Sequence, residues 1–261
     1  MRTVVLTGAT SGIGLAAAAM LADPDTHVIA HGPRPAAAVE AALGSVPERA
    51  GEFHYLSADF GDLDSVSALA GAIRQLGPVD VLINNAGIAG SRAQRQSRQG
   101  VELTFQVNYL AGVLLTELLL PEMPADARIV NTASGTHYSA RLDLDDLDYA
   151  RHPYDEYDAY ARSKLAVVTA TRSLARRIPQ SVVSVHPGVI STNLLHAMFG
   201  SGGASPERGG ANLVAAVDAD VPSGTYLDER IPASPNPLAD DPRFQARLYE
   251  VTSTLLGREL R

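Results

Sequence analysis

The sequence predicts an α/β fold, a doubly wound sheet of about seven mostly parallel strands with helices on both faces. Two observations predict it. Short apolar runs alternate with helical segments along nearly the whole chain, the pattern of successive strand–helix units. The runs are apolar at almost every position, as strands covered on both faces must be.

The elements follow in order. "TVVLTG" (3–8) is β-branched and stops at a glycine, and "LAAAAMLA" (15–22) favours helix. "THVIAHG" (26–32) reads as a strand and "PAAAVEAAL" (35–43) as a helix. "EFHYLSAD" (52–59) is a third strand, followed by a helix over 62–76 that opens on acidic residues. "VDVLINNAG" (79–87) and "ARIVNTAS" (127–134) are the fourth and fifth strands, with a long helix between them at 99–120. A helix over 157–177 leads to the sixth strand, "SVVSVHPG" (181–188). A helix at 206–217 and a short strand, "GTYLDE" (224–229), complete the series. Two longer polar interruptions, 135–156 and 188–206, follow strands at their carboxyl ends, where open α/β sheets bind ligands. Residues 231–243 hold four prolines and read as an irregular tail before a short final helix, so 231–261 is appended to one domain spanning 1–261.

Composition narrows the function. Of 261 residues, 46% are apolar and 19% charged, enough for a sizeable core. With no cysteine there are no disulfides, thiolate nucleophiles or thiolate metal sites. A net charge of −8 argues against nucleic acid as a partner. Arg92, Arg95 and Arg98 read as the solvated start of a helix. The apolar runs are shorter than the ~20 residues of a membrane span, and the N-terminus shows no signal-peptide pattern, so a soluble cytoplasmic protein is expected. No group of His, Asp and Glu has ligand spacing, and the acidic run at 143–148 lacks a calcium-loop pattern, so no metal is expected.

The first strand runs into "TGATSGIG" (7–14). Gly8, Gly12 and Gly14 permit a tight turn and close approach of a pyrophosphate, and the following helix points its free N–H groups at that anion. At the end of the second strand, "AHGPRP", there is no Asp or Glu to hold a ribose hydroxyl. Arg34 stands there instead, and Thr10 and Ser11 offer hydroxyls, which suits the 2′-phosphate of NADP better than NAD.

Further features line up in order: "NNAG" at 84–87, Ser134 closing the fifth strand, Tyr160-x-x-x-Lys164, and "HPGVIST" at 186–192. Together with the glycine turn they resemble the short-chain dehydrogenase/reductase family over essentially the whole chain, which implies a Rossmann-like fold. "RIVNTASG", "AYARSKLA" and "VHPGVISTNL" are most similar to the retinol-dehydrogenase-like branch. The resemblance implies a catalytic set of Asn108, Ser134, Tyr160 and Lys164. It also assigns Gly8, Thr10, Ser11, Gly12, Ile13 and Gly14 to cofactor binding, with Asp59 and Phe60 near the adenine and Asn85, Ala86 and Gly87 along the cofactor. Pro187, Gly188, Val189 and Thr192 would meet the nicotinamide end, and Tyr160 and Lys164 its ribose. Family members pair through their long helices, so a homodimer or homotetramer formed through 99–120 and 157–177 is implied.

Residues four apart share a helix face, so the Lys164 ammonium is expected to lower the phenol pKa of Tyr160 from about 10. Tyr160 then serves as general acid/base at a substrate oxygen and Ser134 as a hydrogen-bond donor to it. Asn108 would hold a water beside Lys164. The expected activity is NADP(H)-dependent interconversion of a carbonyl and an alcohol. Leu142, Leu144, Leu194, Leu195, Met198 and Phe199 in the polar interruptions suggest an apolar substrate. Two other readings share these residues: a nucleotide-bound sensor, and a lyase or epimerase with transient hydride transfer. His137 and His186 read as loop and strand-end residues without catalytic part.

Overall fold

The computed structural model describes residues 1–46 and 52–261. One sheet holds the strands β1 (Arg2–Leu6), β2 (Thr26–Gly32), β3 (Glu52–Ser57), β4 (Val81–Asn84), β5 (Arg128–Thr132), β6 (Ser181–His186), β7 (Tyr226–Asp228) and β8 (Ile231–Ala233). Their order is β3-β2-β1-β4-β5-β6-β7-β8. All neighbours pair in parallel except β7 and β8. The order reverses between β1 and β4, and at such a switch point adjacent connections leave on opposite faces and open a crevice at the carboxyl edge.

The central strands are mostly apolar because both of their faces are covered. Val4, Leu6, Val28, Ala30, Val81, Ile83 and Val185 form one core with Ala17 and Ala18 of α1 (Gly12–Leu21). Val5, Ile29, Leu82, Ile129 and Val182 face the other way, against α3 (Leu63–Gln75) and the long helix after β4. Each fully buried Leu or Ile contributes about 1.5–3 kcal/mol.

Eight strands stand where about seven were expected, and the extra one lies in the stretch read as irregular. β7 and β8 form a hairpin across Glu229, whose φ is 55°, and Arg230. Pro232 fits β8 because this is the outer strand, whose missing N–H is not needed by a further neighbour. Nor is the terminal helix short: α9 (Pro242–Leu256) has 15 residues. Pro237 and Pro242 begin helical turns, a position where the absent N–H costs nothing. Asp241 caps α9 through Arg243 N and Phe244 N, and left-handed Gly257 ends it.

Other helices differ in detail. The stretch 35–43 resolves into a 3₁₀ turn at Ala36–Ala38 and one turn, α2 (Glu40–Leu43), with no side chain of either buried. The polar interruption at 188–206 carries α7 (Asn193–Phe199), and α8 (Pro206–Ala215) follows it. Gly210 of α8 lets that helix press on α1, since a Cβ there would lie 2.9 Å from Ala16 Cβ. The long helix starts at α4 (Leu103–Phe105), passes through a π turn at Gln106–Leu110, and continues as α5 (Ala111–Leu119). Glu102 caps it by accepting from Thr104 N and Phe105 N at 2.9 and 2.7 Å.

The helical stretch Leu103–Glu122 reaches 20 residues at a mean hydropathy of 1.4, so by length and composition it could cross a membrane. Of that window, 72% is buried inside the protein, as in the core helix of a soluble fold. Its first half packs against α6 (Glu156–Leu174). The C-terminal segment crosses both helices. Tyr109 bonds Thr252 at 2.7 Å, Arg177 stacks over Tyr249, and Arg261 N donates to Glu117 at 2.9 Å.

Candidate active site

The carboxyl ends of β1, β4, β5 and β6 border a cleft of about 1480 Å³. Every residue expected from the sequence to hold cofactor or act in catalysis lines it, except Asn108, which lies just behind. At one end is the glycine turn. Gly8 and Gly12 have φ of +69° and +51°, the left-handed region that side chains rarely adopt. Gly14 is required by space: a Cβ would sit 2.0 Å from Gly8 O. "NNAG" holds this turn from the next strand. Thr7 Oγ1 accepts from the N–H groups of Asn85 and Ala86 at 2.9 and 3.0 Å. Asn85 Nδ2 donates to Thr7 O and Gly8 O at 3.0 and 3.3 Å. The turn is thus set before any ligand arrives, with Ser11 free of any capping bond at the start of α1.

This cradle fits a dinucleotide. Three glycines bring backbone close to the cleft where a Cβ would block it, and the α1 N–H groups face an anion. Exposed Arg34 lies farther along, at the end of β2. Tyr55 donates to Arg34 O at 2.6 Å and fixes the backbone between its two prolines. Gly32 makes room for Thr10, whose Cγ2 would be 2.6 Å from a Cβ at position 32. Asp59 reaches solvent at the rim, its carboxylate accepting from Gly61 N. Phe60 borders the cleft, but its ring is buried and stacked on His31 at 4.4 Å.

At the other end, Pro187 to Thr192 form the wall. Gly188 has φ +100°, and Thr192 caps α7 while its methyl packs against Gly12. Tyr157 and Phe199 meet edge-to-face at 5.9 Å. With Leu194, Leu195 and Met198 they make an apolar mouth.

Between the two ends lie Ser134, Tyr160 and Lys164. Ser134 starts the 3₁₀ turn Gly135–Ser139, its Oγ accepting from Thr136 N at 3.3 Å, and lines the cleft beside the Tyr160 phenol. Tyr160 and Lys164 share one face of α6 and are both buried, with the ammonium 5.5 Å from the phenol ring centre. Lys164 Nζ donates to Thr132 O at 2.8 Å. The expected lowering of the Tyr160 pKa is not found. Burial pushes the phenol up to about 12, opposed by the neighbouring Ser134 hydroxyl. Burial also draws Lys164 down to about 8, so the cation meant to activate the phenol is itself weakened.

Asn108 lies just behind the cleft. It sits in the π turn, and its side chain is engaged by protein groups: Ile88 N donates to Oδ1 at 2.8 Å, and Nδ2 donates to Ile88 O and Ser163 Oγ at 3.0 Å each. Asn108 therefore braces the segment after "NNAG" against α6, with both of its amide protons engaged.

Two supporting residues were not expected from the sequence. His137 is fully buried, and its Nδ1–H donates to Ser134 O at 2.7 Å, because a carbonyl can only accept. Asn236, in the C-terminal segment, points Nδ2 at the carbonyls of His137, Tyr138 and Ala140 at 3.0, 3.3 and 3.2 Å. The segment read as a tail thus holds the loop that carries Ser134.

Comparison with known proteins identifies the family. The sequence profile described as short chain dehydrogenase matches residues 2–200. Retinol dehydrogenase 13 of Homo sapiens is 35% identical over 99% of this chain and 85% of its own length. Polyprenol dehydrogenase of Mus musculus is 34% identical over 98% and 84%. A solved structure of an uncharacterised protein from Mycobacterium paratuberculosis superposes with TM-score 0.85 at 31% identity, covering 100% of this chain and 95% of that one. A short chain dehydrogenase from Burkholderia cenocepacia, solved in complex with NADP, gives TM-score 0.68 at 26% identity over 87% and 95%.

The chain belongs to the short-chain dehydrogenase family, with retinol-dehydrogenase-like character. It is an NAD(P)-dependent oxidoreductase.

Proposed function

We propose that this protein is an NADP(H)-dependent reductase that converts an apolar ketone or aldehyde into the alcohol, with Tyr160 as proton donor. The observation that carries the reading is the convergence of Ser134, Tyr160 and Lys164 in one cleft with the glycine turn. When bound, the dinucleotide supplies the hydride. The protein supplies orientation and charge. Ser134 donates to the substrate oxygen and holds the carbonyl against the Tyr160 phenol. As negative charge grows on that oxygen, these donors stabilise it more than they stabilise the ground state. A phenol pKa of about 12 keeps Tyr160 protonated near neutral pH, ready to give its proton to an alkoxide. Lys164 stabilises the phenolate left behind and is itself anchored by Thr132.

Two features support NADP over NAD: Arg34, fixed by Tyr55 at the cleft, and the absence of an acidic residue at the end of β2. Binding of NADP by the Burkholderia cenocepacia relative agrees with this. Apolar substrates are supported by Tyr157, Leu194, Leu195, Met198 and Phe199, and by the retinol and polyprenol named for two relatives. The test is oxidation of NADPH and NADH across a panel of apolar aldehydes, retinal among them, with small polar ketones for contrast. Tyr160→Phe should lower kcat at least ~100-fold while NADPH affinity holds. A Tyr160→Phe protein that turned over at the wild-type rate would remove the proposed proton donor.

A further inference from the structure

At the opposite edge of the sheet from the cleft, the pairing of β2 with β3 gathers three metal-ligating side chains. His27 stands in register with Glu52, and His54 lies two residues farther along the same face of β3. His27 Nε2 and His54 Nδ1 approach to 2.9 Å, and Glu52 Oε1 lies 3.9 Å from that His54 nitrogen. One ligand atom from each residue lies within 4.8 Å of the other two. Among the described residues this is the sole group of three His, Cys, Asp or Glu side chains so disposed.

We propose that His27, Glu52 and His54 form a binding site for one divalent transition-metal ion of the zinc type. The two imidazole nitrogens face each other closely enough to share one proton. A metal ion replaces that proton and accepts both lone pairs at once. Around a tetrahedral ion with metal–nitrogen bonds of about 2.0–2.1 Å, two nitrogens stand about 3.3 Å apart. The rings need separate by only a few tenths of an ångström, and Glu52, whose carboxylate oxygen lies 3.9 Å from His54 Nδ1, needs a larger swing inward. Two imidazoles and a carboxylate suit zinc, cobalt or nickel, whereas magnesium and calcium prefer oxygen alone. His27 is buried on the inner strand and supplies a fixed anchor. The side chains of His54 and Glu52 are 39% and 48% exposed, which gives the ion a way in and leaves a fourth position for water.

The site is far from the chemistry. His27 and Glu52 stand at the starts of their strands, and the cleft lies at the strand ends. Its effect falls on the outermost parallel strand, β3, which pairs only with β2. An ion bridging the two would tie that edge down and stabilise the fold through linkage. This inference depends on neither the proposed activity nor the cofactor.

The test uses full-length protein stripped with a chelator and dialysed, then titrated with ZnCl₂ by calorimetry, with Co²⁺ as a spectroscopic probe. The wild type should take up one zinc per chain and show a higher melting temperature with zinc. The Co²⁺ form should give the intense visible absorption of a four-coordinate ion. His54→Ala and Glu52→Gln should each weaken zinc at least about tenfold and lose the thermal shift. Both side chains are partly exposed, so these variants fold where a His27 substitution risks the core. His152→Gln serves as a control and should bind zinc like the wild type. Equal zinc affinity in wild type and His54→Ala, or only the weak absorption of octahedral Co²⁺, would overturn the proposal.

Discussion

Lys164 should make the protein less stable at neutral pH than a neutral side chain would. Its ammonium is buried, and the one hydrogen bond its Nζ makes among the described groups is to Thr132 O. Burial lowers its pKa from 10.5 to about 8. The unfolded chain then binds a proton that the folded chain has lost between pH 8 and 10.5, so stability rises with pH through that window. At pH 7 the folded state carries the whole penalty, about 3 kcal/mol for a shift of this size. By pH 10 most of it is gone. Lys164→Met keeps the unbranched length without the charge. It should be more stable than wild type at pH 7 by up to ~3 kcal/mol, and the gap should narrow by about 2–3 kcal/mol by pH 10. Urea unfolding of both proteins at closely spaced pH values measures the gap directly, and titrations of groups remote from position 164 cancel in the difference. The window stops at pH 10 because Tyr160, raised to about 12, destabilises the fold above its unfolded pKa. Lys164→Met should also lose carbonyl reduction. A stability gap that stays constant from pH 7 to pH 10 would refute the argument that burial sets this lysine's ionisation.

Asn236→Ala removes two amide protons shared among three carbonyls, and the oxygen that accepts from Leu238 N. At about 1 kcal/mol per net bond this costs about 2–3 kcal/mol, a fall in Tm of roughly 5–10 °C for a chain of this size. Asn236→Asp should not recover it, because a carboxylate cannot donate to those carbonyls. Thermal melts of the two variants check both statements, and an unchanged Tm in Asn236→Ala would mean the loop needs no such anchor. Gly14→Ala places a Cβ 2.0 Å from Gly8 O. It should weaken NADPH binding at least about tenfold in a fluorescence titration, since the turn must open to admit it; wild-type affinity would show that the turn tolerates displacement. Arg34→Ala should erode the preference for NADPH over NADH in kcat/KM and leave NADH turnover near wild type. Preference left intact would place recognition of the 2′-phosphate elsewhere.

The core of the fold was legible because parallel strands buried on both faces must be apolar at every position, as in "TVVL" and "VLIN". β8 escaped notice because prolines punctuate its segment, and proline is compatible with an outer strand. The α4–α5 helix was placed early because its cap is a buried glutamate instead of the usual Ser or Asp.

The site divides in the same way. The sequence by itself determined the groups whose identity the chemistry requires: the glycines of the turn, "NNAG", Ser134, Tyr160 and Lys164, each with a spacing set by strand ends or by one helical turn. Tertiary structure decided what those groups experience. Burial raises the Tyr160 pKa and lowers that of Lys164, the reverse of what their adjacency suggested for the phenol. Asn108 becomes a brace, and Asn236 holds the Ser134 loop from far along the chain. His27, Glu52 and His54 meet because two strands pair in one register. Spacing along a chain fixes which side chains share an element, whereas desolvation and cross-strand proximity arise only once separate elements pack together.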